Sequence, residues 1–157
     1  MANKDAAFGL KPIGKVGQNR DNQGLSEYDI AASATAIYFN DPVKMKSDGT
    51  IEVAGAGGAI LGSINGVFFT DATTSKPTFA NHLNASNTAT DIVGFISDDP
   101  YERFEIQTNN TGASAKTDIF NVADIEYTAG SSPDFVSAVE LNDSTLANGS
   151  SATLQIL

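Results

Sequence analysis

The chain has 157 residues, no cysteine and a formal net charge of −10. That length fits one domain, or one domain with an appendage. The acidic surplus argues against general nucleic-acid binding and against anionic membranes, and the missing thiols exclude disulfides, thiolate metal sites and cysteine nucleophiles.

No apolar run approaches the ~20 residues needed to cross a bilayer. The opening Met-Ala-Asn-Lys-Asp leads into no long apolar core, so it does not read as a secretory signal. The lack of cysteine favours an intracellular assembly route. The charge is uneven. Up to residue 20, Lys4, Lys11, Lys15 and Arg20 stand against Asp5 alone, whereas no basic residue follows Lys116. A basic head on an acidic body implies that the head touches something different from the body, or that it is a solvated terminus.

In chain order, residues 1–28 carry four glycines and one proline, with Phe8, Leu10, Ile13 and Val16 spaced too irregularly for a helix. They read as an extended arm able to dock Phe8, Leu10 and Ile13 into grooves on a neighbour. Residues 29–157 read as a β-rich body. Tyr28–Ala31 and Ile37–Phe39 suggest short strands. Residues 43–54 predict a β-hairpin, because Val43 and Met45, then Ile51 and Val53, alternate with polar residues around the turn signal Ser47-Asp48-Gly49.

The densest Val, Ile and Phe content lies in Ile60–Phe69 and Ile92–Ile96, which predict core strands. Glycines at 62, 66 and 94 suggest bulges or tight bends, as in a small curved sheet or barrel. Between these runs, Thr70–Asp91 is polar and reads as a long surface loop, pinned by Phe79 and Leu83, that contacts a neighbouring subunit. Further strands are expected around Phe104–Ile106, Ile125–Tyr127, Val136–Leu141 and Ala152–Leu157. A helical turn or two is allowed only at Ala113–Phe120. The fold class is therefore all-β: a small β-sandwich or β-barrel body with an extended N-terminal arm and little helix.

Few residues offer chemistry. Asp98-Asp99 before Pro100 reads as a strand-ending turn; a calcium site would need more converging oxygens and a recognisable loop. His82, the sole histidine, sits in an asparagine-rich loop without a nucleophile elbow, so it reads as a surface residue. Gly55–Gly58 fits no phosphate-loop spacing and is followed by a strand pattern instead of a helix. The Asn-x-Ser/Thr triplets at 84, 109, 142 and 148 are expected by chance in so polar a chain. No catalytic, cofactor-binding or metal residue is expected, and the chain does not read as an enzyme.

Met1–Gly17 (Met-Ala-Asn-Lys-Asp-Ala-Ala-Phe-Gly-Leu-Lys-Pro-Ile-Gly-Lys-Val-Gly) resembles the start of small head-decoration, or cement, proteins of tailed bacteriophages, especially marine and cyanobacterial ones. Gly24-Leu-Ser-Glu-Tyr-Asp-Ile, Ala36-Ile-Tyr-Phe-Asn-Asp-Pro-Val, Gly49-Thr-Ile-Glu-Val-Ala, Gly66-Val-Phe-Phe-Thr-Asp, Lys76-Pro-Thr-Phe and Asp98-Asp-Pro extend the resemblance along the chain. The resemblance implies a virion protein on the outer capsid surface, bound to the major capsid protein, commonly as a homotrimer at threefold or quasi-threefold positions. It implies no enzyme, cofactor, nucleic acid or membrane. On this reading the arm contacts the capsid through Lys4, Phe8, Leu10, Lys11, Ile13, Lys15 and Arg20. The alternative is a virion-surface receptor- or carbohydrate-binding module.

Overall fold

The computed structural model describes residues 5–17, 24–109, 114–149 and 152–157. Among them the fold is all-β. Eleven strands are β1 (Lys11–Lys15), β2 (Ser26–Asp29), β3 (Pro42–Met45), β4 (Ile51–Val53), β5 (Gly62–Thr70), β6 (Pro77–Ala80), β7 (Val93–Ser97), β8 (Glu102–Glu105), β9 (Val122–Glu126), β10 (Glu140–Ala147) and β11 (Leu154–Gln155). The allowed helix reduces to one 3-10 turn, Lys116–Asp118.

The central sheet runs β2-β7-β5-β3-β4, with every neighbouring pair antiparallel. A parallel bridge from Ile30, just after β2, to Ile51, the first residue of β4, joins its two ends. Five strands closed in a ring cannot all alternate in direction, so one seam must be parallel. The sheet therefore curls into a small barrel, one of the two architectures expected. Ile30, Val43, Ile51, Ile64, Ile92 and Ile96 are all buried in its core. Closure also leaves fewer free edges to attract unwanted pairing.

Two glycines permit this curvature. At Gly66 the β5–β7 register shifts by one residue, a bulge of the predicted kind. A side chain at Gly94 would come within 3.1–3.3 Å of the tips of Ile30, Ile51 and Ile64, so the absence of a Cβ lets three isoleucines meet across the barrel.

The predicted hairpin forms in register, with Val43 opposite Val53 and Met45 opposite Ile51. Other expectations need correction. Ile37–Phe39 is no strand; Ile37 and Phe39 make single bridges, to Leu83 and Val136. The polar stretch 70–91 is not one long loop. It contains β6, which extends β5 as a hairpin from Thr70↔Pro77 to Val67↔Ala80. Leu83 is fully buried and pins the rest, while Phe79 stays 75% exposed. The strand expected at Val136–Leu141 starts only at Glu140.

A second sheet, β10-β9-β11, buries Ala123, Ile125 and Leu141. The predicted C-terminal strand is short but tied in, with Leu154 opposite Ala123. The remaining pair, β1 with β8, forms a two-stranded ribbon.

That ribbon revises the division at residue 28. The 5–17 segment is extended as predicted, yet it lies on the body of its own chain. β2, inside the expected arm, is a strand of the barrel sheet.

Candidate interaction surface

The N-terminal segment is fixed by a short series of bonds. Asn40 Nδ2 donates to the Phe8 carbonyl at 3.1 Å, Leu10 N–H donates to the Asn40 carbonyl at 2.9 Å, and Ser63 Oγ donates to the Leu10 carbonyl at 2.6 Å. Between them Gly9 has φ +72°, and a Cβ there would lie 2.4 Å from the Asn40 oxygen. Only glycine fits this close approach. Leu10 consequently has no exposed surface.

The expected contact residues separate accordingly. Lys4 and Arg20 lie outside the described residues. Phe8 is half-buried and Leu10 is spent inside its own chain, so neither stands free as an anchor for a neighbour. Lys11 Nζ meets Glu105 at 3.0 Å in an exposed pair. Lys15 Nζ meets Asp99 at 2.7 Å, with the two side chains 10% and 17% exposed. Of the three expected apolar anchors, Ile13 alone stays largely outside, at 55% exposure.

Ile13 opens onto a cleft of about 1010 Å³ between the β1–β8 ribbon, the 3-10 turn and the β9–β11 sheet. Five of the nine exposed large apolar side chains among the described residues line it: Ile13, Val16, Tyr101, Ile119 and Leu157. Monomeric surfaces rarely gather such residues in one place without a partner. Its charged lining is Asp99, Glu102, Glu105, Asp118 and Asp143 against Arg103. The cleft is thus apolar within an acidic border. Sequence reading singled out only Ile13, because the others occur singly between polar residues and show no periodicity.

A second exposed feature covers the outer face of the barrel. Phe68 and Phe79 are cross-strand partners with ring centroids 4.8 Å apart, and Phe79 stacks on Phe95 at 6.2 Å and 20°. Glu27 and Asp29 face Phe95 and Val93 from β2.

The polar candidates have structural partners. Asp98 accepts hydrogen bonds from Ser26 Oγ and Tyr28 OH, at 2.9 and 2.6 Å, which holds the Tyr28 phenol above its usual pKa. Asp99 Oδ1 accepts the Tyr101 N–H. The pair staples a turn, as expected. His82 stacks flat on Phe135 at 3.9 Å and touches Asn81 through Nδ1. Among the described residues no cluster of three or more His, Asp or Glu is placed to hold a metal.

Asp41 is the buried polar residue that sequence reading missed, since Asn-Asp-Pro looks like an ordinary turn. It has no exposed surface. Oδ2 accepts the Tyr38 N–H at 2.8 Å, while Oδ1 lacks a hydrogen-bond partner of good geometry. Burial pushes its pKa up to about 6, opposed by the Ser137 hydroxyl and the Tyr38 N–H. Burial, with the nearby Asp41 charge, pushes the Tyr127 phenol up to about 12.

No protein-family model, curated protein or solved structure matches this chain.

Proposed function

We propose that the chain is a structural virion protein that binds the outer surface of a phage capsid and stabilises it as a cement protein. Three copies acting at threefold or quasi-threefold positions would bind together and gain avidity through effective concentration. The supporting observation is the gathering of Ile13, Val16, Tyr101, Ile119 and Leu157 on one face, in a chain whose sequence resembles head-decoration proteins. The contact is then the folded ribbon-and-cleft face and not a free arm. The partner is the major capsid protein.

The test mixes the purified protein with undecorated heads, pellets the heads and repeats across a salt series. Saturable co-sedimentation by the natural chain, lost in Ile13→Asp, supports the reading. Absence of co-sedimentation by the natural chain overturns it for those heads.

A second reading, a receptor- or carbohydrate-binding module on the virion surface, rests on the Phe68–Phe79–Phe95 face. Exposed aromatic rings supply large, rigid contact area. A glycan array separates the two readings: a cement protein is silent, and a receptor module gives a selective signal that Phe79→Ala removes.

A further inference from the structure

The cleft is bordered by strand edges, and this decides what it can hold. Side chains of a strand alternate between its two faces, so a strand that presents a face to a cavity lines it with every second residue. Here Pro100 to Ile106 line the cleft without a gap, and so do Thr153 to Leu157. Consecutive lining means that the chain runs past the cleft edge-on. β8 pairs only with β1, and β11 only with β9, so each has one edge with no strand partner among the described residues. From 101 to 106 no proline interrupts the backbone. The Tyr101 and Glu102 N–H groups are already donated to Asp99, so the edge open to a partner runs over 103–106.

We infer that the cleft takes an extended segment of a partner polypeptide, which adds as a strand to the free edge of β8. The segment is one in which apolar and basic residues alternate. Main-chain bonds supply affinity in strand addition, and pockets for alternate side chains supply specificity. The apolar set is received by Ile13, Tyr101, Ile119 and Leu157, and the basic set faces the border. Five carboxylates against one guanidinium fix the sign of the partner's charge. Two of the five, Asp99 and Glu105, are already paired with Lys15 and Lys11, which leaves Glu102, Asp118 and Asp143 to receive it. A strand also suits the space, since the cleft is large enough for several side chains at once. The inference builds on the cleft as a contact surface, but it does not require the partner to be a capsid.

The test uses the full chain and the synthetic heptapeptide Lys-Val-Lys-Ile-Lys-Val-Lys. Its controls are the same peptide N-methylated at alternate residues, which loses main-chain donors on one edge, and a version with glutamate in place of lysine. Amide hydrogen exchange is followed with and without each peptide. Strand addition predicts exchange slowed by about tenfold or more within 103–106 by the parent peptide alone. The effect fades as salt is raised and is weaker in Asp143→Lys. Equal protection by the N-methylated peptide would show side-chain docking without strand pairing and overturn the inference. So would protection elsewhere, or none. Heads that bind the protein while the peptide leaves 103–106 unprotected would sink the strand and leave the capsid reading standing.

Discussion

Lys15 Nζ lies 2.7 Å from Asp99 Oδ2, and both side chains are largely shielded from water. The pair fastens the N-terminal ribbon to the turn that ends β7. A few residues earlier, Lys11 and Glu105 make a pair of similar length with both side chains about half exposed. The two pairs differ mainly in solvation, which sets the worth of an ion pair. Lys15→Met is expected to cost about 2 kcal/mol, because it removes a cation that meets a shielded carboxylate at 2.7 Å. Lys11→Met is expected to cost less than about 0.5 kcal/mol. Urea unfolding midpoints of the two variants check this, and equal losses would contradict the assignment.

Leu10 and Gly9 give a second test of the same docking. Leu10→Ala removes a fully buried side chain and is expected to cost about 3 kcal/mol. Gly9→Ala adds one methyl group, yet its Cβ would sit 2.4 Å from the Asn40 oxygen and 2.5 Å from Ser137 Cβ at a positive φ. It is expected to destabilise by about as much as Leu10→Ala. A free arm would make both substitutions neutral. Thermal melts of the purified variants decide between these outcomes.

The barrel was legible in the sequence wherever local signals agreed with the fold. Ile60–Phe69 and Ile92–Ile96 announced β5 and β7 by their apolar density, and Ser47-Asp48-Gly49 announced the hairpin. The docking of the N-terminal segment was not legible. Phe8, Leu10 and Ile13 show that something apolar is to be covered, but not by what. The groups that hold the segment, Asn40 and Ser63, stand 32 and 53 residues away from their partners. β6 was hidden for a related reason: Pro-Thr-Phe-Ala has little strand signal of its own, and pairing with β5 makes it a strand. The cleft was hidden because its five exposed apolar residues come from four separate stretches of the chain.

Asp41 predicts an unusual pH dependence. Its folded pKa is raised to about 6 from an ordinary 3.8, so the folded state holds the proton more tightly than the unfolded chain does. Below about pH 4 the carboxyl is neutral in both states and costs nothing. As pH rises from about 4 to 6 the unfolded chain ionises first, and stability falls; above that window the loss is complete, at about 3 kcal/mol. Asp41→Asn keeps an acceptor for the Tyr38 N–H and cannot ionise. The natural chain should therefore lose stability relative to Asp41→Asn between about pH 4 and 6, with a constant gap above. Urea midpoints of both proteins across that range test it. Parallel curves would mean that Asp41 titrates normally.

Phe79 predicts a stability effect at a position where surface exposure suggests none. It is 75% exposed, and substitution at such a site is usually worth less than about 0.5 kcal/mol. However, it stands directly opposite Phe68 on an edge strand and also stacks on Phe95. Cross-strand aromatic pairs contribute about 1 kcal/mol beyond the area they bury. β6 has little else to hold it, since among the described residues only β5 pairs with it. Phe79→Ala is therefore expected to cost about 1 kcal/mol globally and to raise amide exchange in Pro77–Ala80 more than elsewhere. A double-mutant cycle with Phe68→Ala isolates the pair. A coupling near zero would show that the rings merely lie side by side.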